Sequence, residues 1–113
     1  MQNYFYNVDI KSNVVAKGIK RKVLSYNKDL MVCELDYQKG GVGELHKHFH
    51  SQCSYIISGV FEFDIDGDKK VLKKGDSLYV QPEAMHGCVC LEKGVLLDIF
   101  TPQREDFLHE LTD

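Results

Sequence analysis

Three absences narrow the functions open to this 113-residue chain. No run approaches the ~20 consecutive apolar residues of a membrane-spanning helix, so we expect a protein that neither spans nor enters a bilayer. There is no excess of positive charge: the formal net charge is -3, which argues against nucleic acid or an anionic membrane surface as a partner. The four cysteines include no C-x-x-C pair and no apolar signal segment begins the chain, which predicts a cytoplasmic protein with free thiols.

The composition is that of an ordinary folded domain. Hydrophobic residues make up 43% of the chain and charged residues 27%, and no repeat or low-complexity tract interrupts it. A chain of this length encloses one hydrophobic core but not two. We therefore expect a single domain covering residues 1–113.

Turn signals rich in Gly, Asn and Asp recur at short intervals, which is typical of an all-β sandwich or barrel. In the segment Val60 to Asp66, apolar side chains alternate with acidic ones, as on a strand with one buried face, and Asp66-Gly67 then predicts a hairpin. The candidate strands between the turn signals are Ile19 to Tyr26, Leu30 to Tyr37, Glu44 to His48, Tyr55 to Ile57, Val60 to Asp66, Lys70 to Leu72, Ser77 to Val80, Gly87 to Leu91 and Val95 to Phe100.

Only the C-terminal tail, residues 103–111, has a helical pattern. Phe107, Leu108 and Leu111 fall at helical spacing, and we expect this short helix to close one end of a β-barrel whose core covers residues 19–101. Tyr55 and Tyr79 are expected to be core aromatics.

Four of the five histidines fall in two places. His46, His48 and His50 occur in ELHKHFHS, and His86 occurs in QPEAMHG. Side chains two apart on a strand share a face, so His46 and His48 can converge on one metal ion. Gln52 can reach the same ion only if the chain turns back near residues 49–51, which predicts a hairpin over residues 46–57.

Each histidine segment also has a simpler interpretation. The H-x-H-x-H run fits a polar strand edge facing solvent, and a single histidine such as His86 is commonly a surface residue or a satisfied core residue. His50 could face solvent, support a metal ligand or touch a substrate. Cys88 and Cys90 share the parity of His86, but burial as small apolar residues is the commoner fate of such cysteines.

Taken together, the two segments resemble the paired motifs of the cupin superfamily. The first motif is matched by GELHKHFHSQCSYIISG, Gly43 to Gly59, and the second by GDSLYVQPEAMH, Gly75 to His86. The resemblance implies a small jelly-roll barrel and one divalent transition metal ion, with Zn, Ni, Fe, Mn and Co all compatible with imidazole and amide donors. The metal ligands that it implies are His46, His48, Gln52 and His86.

The chain further resembles the KdgF family of pectin-degradation cupins in the segment LLDIFTPQREDFL, Leu96 to Leu108, and in having Gln rather than Glu at position 52. The family converts 4,5-unsaturated monouronates to a linear keto form, so the resemblance implies a small anionic sugar substrate and a homodimer. By motif it implies that Asp98, Phe100 and Arg104 act in catalysis. Phe49-His50 stands where the family usually has a Pro.

Two features of the residues themselves agree with this chemistry. Asp98 interrupts an otherwise apolar strand, so its carboxylate should face a polar cavity or a cation, although a structural ion pair with Arg104 would also explain it. Three neutral imidazoles and one amide leave a bound divalent ion its full charge, which favours anionic, oxygen-rich ligands.

Two other functions fit the same ligand pattern. A three-histidine cupin site can also bind ferrous iron, which would make the protein a metal-dependent dioxygenase. A small cupin can also serve as a sugar-binding or metal-binding module without catalysis.

Overall fold

The computed structural model describes residues 1–111, and residues 112 and 113 of the expected domain lie outside the described part. The described chain is mostly strand, with an eight-stranded antiparallel arrangement as the all-β prediction required. The strands are β1 (Asn13–Ala16), β2 (Ile19–Asn27), β3 (Leu30–Tyr37), β4 (Val42–His46), β5 (Ser51–Ile65), β6 (Asp68–Lys73), β7 (Ser77–Val80) and β8 (His86–Thr101).

Two long strands, β5 and β8, form the ribbon from which the barrel is built. They pair along nearly their whole length, from Ser51 opposite Thr101 to Ile65 opposite His86. In one half of the ribbon, β3 pairs with β8 and β7 pairs with β5. In the other half, β4 pairs with β8 and β6 pairs with β5. The ribbon therefore belongs to both layers of the barrel, in agreement with the expected jelly roll.

The ribbon bends where the sequence indicated two turns, at Ser58-Gly59 and near Gly94. The sequence predicted separate strands on either side of each turn. This prediction was wrong, because each turn segment is an irregularity within one continuous strand. Gly59 has a φ of 82°, and a Cβ on Gly94 would lie 2.1 Å from the carbonyl oxygen of Ser58. The two glycines allow the backbones to approach closely enough for the ribbon to pass from one layer to the other.

The alternation in β5 and the hairpin that follows it are confirmed. Phe61 and Phe63 are buried in the core, and Asp66-Gly67 joins β5 to β6 with both residues at positive φ. The two tyrosines expected in the core are instead exposed, Tyr55 by 44% and Tyr79 by 55%. Their strand parity places them on the outer face, opposite buried neighbours such as Ser54 and Val80.

The tail predicted as a helix is a 3-10 helix, Glu105–Leu111. Phe107 packs into the core as expected, but Leu111 is 40% exposed and Glu110 is buried. The three-residue repeat of a 3-10 helix places residues 107 and 110 directly on one face and turns residue 111 about a third of a turn away from residue 107, whereas α-helical spacing would have kept residue 111 close to the face of residue 107.

Two elements precede the region in which strands were expected, a 3-10 turn at Asn7–Asp9 and strand β1. Most of β1 is exposed, so it lacks the alternating apolar pattern that would have marked it in the sequence. Among the described residues, no helix is both long enough and apolar enough to cross a bilayer.

The close approach at the ribbon bend gives a stability prediction. Gly94→Ala should lower the free energy of unfolding by about 2 to 3 kcal/mol, because the added methyl group meets the Ser58 backbone. Gly67→Ala is the matched control: its site is open, so only the positive φ is strained, at about 1 kcal/mol. Urea unfolding of both variants measures the difference, and equal losses would show that the bend tolerates a side chain.

Candidate metal centre

The four residues expected to bind metal lie at one end of the barrel. His46 ends β4 and His86 begins β8, and the two are register partners. Gln52 is the second residue of β5, and His48 lies in the loop between β4 and β5. The structure thus brings together all four positions.

The route by which they meet differs from the prediction. His48 lies beyond the end of β4, so it does not share a strand face with His46. The expected hairpin over residues 46–57 is also wrong, because β4 and β5 both pair with β8 and not with each other. The chain does turn back near residue 50, but it crosses from one layer of the barrel to the other.

Backbone carbonyls fix the orientation of the three imidazoles. The Nδ1–H of His46 donates to Glu44 O at 2.9 Å, and that of His86 donates to Ala84 O at 2.9 Å. His48 donates in the same way to the carbonyl oxygen of residue 50, at 3.2 Å. In this tautomer each Nε2 carries a lone pair and no proton, which is the arrangement typical of metal-binding histidines.

Two of these Nε2 atoms, those of His48 and His86, face the amide oxygen of Gln52. Gln52 Oε1 lies 3.0 Å from the Nε2 of His48 and 3.2 Å from that of His86. The amide nitrogen of Gln52 faces away and donates to Ser54 Oγ at 3.0 Å and to Asp98 Oδ1 at 3.3 Å. Acceptors therefore face acceptors, and a cation between them would remove this repulsion.

The histidine cluster fits a metal ion in distance and in charge. The available ligand atoms of His46, His48 and His86 all lie within 4.8 Å of one another. Burial lowers the pKa of His86 to about 4 and also lowers the pKa of His48, which keeps both rings in the neutral form that binds metal. Imidazole and amide donors suit several transition metals and do not select one of them.

Asp98 lies beside this cluster, in a cavity of about 440 Å³ that His46, Gln52, Phe100 and Arg104 also line. The hydroxyl of Ser54 donates to Asp98 Oδ1 at 2.5 Å. Burial raises the pKa of Asp98 to about 6, against the opposing effect of the Ser54 hydrogen bond. The carboxyl group of Asp98 therefore faces a cavity lined by polar side chains, as expected. Phe100 lies on the same face of β8, as the alternation of side chains along a strand predicted.

Arg104 does not form the ion pair with Asp98 that was the structural alternative. Its Nε and Nη2 atoms bind the two carboxylate oxygens of Asp106, at 3.1 and 2.8 Å. Its guanidinium lies 5.1 Å from the centre of the Phe100 ring and 4.2 Å from that of Phe107. Arg104 is 9% exposed and lines the same cavity as Asp98.

Of the three possibilities left open for His50, exposure to solvent is wrong. The side chain is 6% exposed, and its Nε2–H donates to Gln103 O at 3.0 Å, joining the metal-site loop to the segment before Arg104. Cys88 and Cys90 are buried free thiols as expected, and burial raises the pKa of Cys88 to about 11. A protonated thiol is a poor metal ligand.

Sequence reasoning missed two side chains at this site. Ser54 has the parity of Gln52 on β5 and lies opposite Asp98, so the strand pattern could have identified it. Arg21 also lines the cavity, but it comes from β2, and no local motif marks it.

The barrel and its histidine cluster are those of a cupin, and residues 33–100 match the Cupin domain family model. Among solved structures, an RmlC-like cupin from Shewanella frigidimarina NCIMB 400 superimposes with a TM-score of 0.91 at 39% identity, covering 96% of this chain and 97% of that one. The fold class expected from the sequence is therefore confirmed.

More particular relatives share almost the whole length of the chain. The pectin degradation protein KdgF of Dickeya dadantii (strain 3937) is 42% identical over 110 residues, which cover 96% of this chain and 100% of that protein. The structure of KdgF from Halomonas sp. is 34% identical with a TM-score of 0.90, covering 96% and 100% of the two chains. The chain belongs to the KdgF family of cupins.

The convergence on Gln52 Oε1 predicts the effect of removing one ligand. His86→Ala should lower the affinity for Zn²⁺ or Ni²⁺ by about 100-fold or more, because one of the facing acceptors is lost. His109→Ala, in the 3-10 helix, is the control and should retain wild-type affinity. Calorimetric titration of the metal-stripped proteins measures both, and unchanged affinity in His86→Ala would remove this residue from the metal site.

Proposed function

We propose that this protein catalyses the ring opening and ketonisation of 4,5-unsaturated monouronates released from pectin or alginate. The observation that carries the proposal is the placement of Asp98 and Arg104 in one cavity with Gln52 and with His46, a member of the convergent histidine cluster. The family relationship supports it, since the KdgF relative from Dickeya dadantii is a pectin degradation protein. The reaction is an isomerisation, so it requires proton transfer and charge stabilisation but no net redox change.

His46, His48, Gln52 and His86 would hold the metal ion. When bound, the ion supplies a Lewis acid that orients the substrate and polarises its oxygen atoms. The three imidazoles and the amide contribute no negative charge, so the pocket as a whole favours an anion. A uronate, with its carboxylate and neighbouring hydroxyl groups, matches this preference.

Asp98 is assigned the proton transfers. The reaction removes a proton from the anomeric hydroxyl group, forms the aldehyde as the C1–O5 bond breaks, and adds a proton at C4 as the C5 keto group forms. One carboxyl group can accept the first proton and deliver the second, which balances the reaction without another acid. Oδ1 of Asp98 accepts from Ser54 and Gln52, and Oδ2 has no partner among the described residues, so it is available for this role.

Arg104 and Phe100 are assigned to substrate binding. The pairing of Arg104 with Asp106 uses its Nε and Nη2 atoms, and its Nη1 atom has no partner among the described residues. That edge of the guanidinium can bind the substrate carboxylate. Phe100 lies between Asp98 and Arg104 in the chain and shares the face of Asp98, so its ring can pack against the sugar.

The proposed function is tested by loss of the ultraviolet absorbance of an unsaturated uronate. The metal-loaded wild type should remove this absorbance with substrates derived from galacturonate or mannuronate. Asp98→Asn should bind metal as the wild type does but lose turnover by about 10³-fold or more, because the amide cannot carry the proton. Glu62→Gln is the control. Glu62 is also an acidic residue of the β5–β8 pair but lies outside this cavity, so this variant should retain turnover.

Unchanged turnover in Asp98→Asn would remove this residue from the mechanism. Preserved absorbance with every uronate in the wild type would overturn the proposed reaction. Oxygen consumption would then indicate the dioxygenase alternative, and saturable sugar binding without turnover would indicate a binding module.

The proposal includes the expected homodimer, and the exposed face of β5 and β7 is its interface. Tyr55, Ile57 and Tyr79 expose apolar surface there, and Cys53 pairs with Tyr79 across the strands. A second copy would bury these residues around a two-fold axis.

Light scattering should give twice the chain mass of 13.0 kDa for the wild type. Tyr79→Lys should give the chain mass, because a charge at the centre of this face opposes its burial. Val71→Lys is the matched control, since Val71 is exposed to a similar extent, 59% against 55% for Tyr79, but lies on β6. A wild-type monomer, or a dimer that survives Tyr79→Lys, would contradict this interface.

A further inference from the structure

The ring of Phe107 is in contact with two guanidinium groups that come from opposite ends of the chain. Arg21, on β2, lies 3.5 Å from the ring centre, and Arg104 lies 4.2 Å from it. Phe107 also meets Phe100 edge-on, with ring centres 5.9 Å apart. The Phe107 ring therefore contacts Arg21 and also Phe100 and Arg104, the two residues assigned to substrate binding.

Acidic residues on both sides of Phe107 hold these cations. Arg21 donates from Nε and Nη2 to the two carboxylate oxygens of Glu110, at 3.1 and 2.5 Å. Arg104 binds Asp106 in the same two-point manner. Glu110 is 5% exposed, so its carboxylate depends on Arg21 for compensation of its charge.

This arrangement fastens the 3-10 helix to the barrel wall. Among the described residues, the backbone of Glu110 makes one hydrogen bond to a strand. The side-chain amide of Asn13, on β1, donates to the carbonyl oxygen of Glu110 at 3.2 Å. The Arg21–Glu110 pair is therefore the main polar connection between the helix and β2. If it is lost, Phe107 loses one of the two groups that hold its ring in place.

We propose that Arg21 is a positioning residue for Arg104, acting through Glu110 and Phe107. Arg104 has a long side chain with many rotamers, and the packed ring on one side and Asp106 on the other restrict it to one orientation. This inference rests on the proposed function only in assigning the substrate carboxylate to Arg104. The positioning itself is a property of the protein alone.

The test compares Arg21→Gln with wild type in two measurements. With the unsaturated uronate, KM should rise about tenfold while kcat changes by less than twofold, because carboxylate binding is lost and proton transfer is kept. In nitrogen-15 NMR spectra, the Arg104 Nε–H signal should shift and exchange faster with water. The Zn²⁺ affinity should equal that of the wild type, since none of the four metal ligands is altered.

Two further variants guard against a simple failure to fold. Arg21→Lys keeps the charge opposite Glu110 but loses the planar stacking on Phe107, so KM and the Arg104 signal should change by an intermediate amount. Phe107→Leu keeps an apolar side chain but removes the shared ring, and it should reproduce the effects of Arg21→Gln. Lys22→Gln is the matched control on the same strand, because Lys22 makes only an exposed hydrogen bond to Asn7, at 3.2 Å, and a weak ion pair with Glu34, at 3.9 Å, and it should behave as wild type.

A purely structural role for Arg21 would lower the melting temperature while leaving KM and the Arg104 signal of the folded protein unchanged, and this result would overturn the inference. If the wild type shows no turnover at all, the proposed function fails, but the NMR measurement still tests whether Arg21 positions Arg104. A shifted Arg104 signal in Arg21→Gln and Phe107→Leu would then support positioning, and an unshifted one would overturn it.

Discussion

The amide oxygen of Gln52 faces the lone pairs of two imidazoles, and this crowding of acceptors is the constraint on which the site depends. Nothing in a purely structural role requires three histidines to present Nε2 lone pairs toward one point. Backbone carbonyls at residues 44, 50 and 84 fix the ring orientations, and Ser54 and Asp98 fix the amide. The supporting hydrogen bonds thus maintain an arrangement that a cation between the acceptors would make favourable.

The long β5–β8 ribbon makes that convergence possible. Gln52 lies opposite Phe100 and Ser54 lies opposite Asp98, so one candidate metal ligand is next to two of the residues assigned to the reaction in the same strand pair. The bend at Gly59 and Gly94 carries the same ribbon into the second layer, where His86 meets His46 on β4. A rigid scaffold therefore sets the distance between the metal site and the carboxylate of Asp98.

The charges around the cavity are compensated before any ligand binds. Arg104 and Asp106 form one pair, and Arg21 and Glu110 form another, so neither guanidinium is an isolated cation in a buried position. The candidate metal ligands are neutral, which leaves Asp98 as the uncompensated acid beside the proposed ion. A divalent ion and one carboxylate together leave a charge suited to a monoanionic sugar.

The sequence alone determined the all-β class, the hairpin at Asp66-Gly67 and the candidate metal ligands that the fold brings together, because strand alternation, turn residues and the two histidine motifs are local patterns. It did not determine that His48 lies in a loop, that β4 and β5 each pair with β8, or that Tyr55 and Tyr79 face outward. It also gave no sign of Arg21, whose partner Glu110 is 89 residues away. Only the tertiary structure decided these features, because they depend on how distant strands pair, and strand register has no signature in a short stretch of sequence.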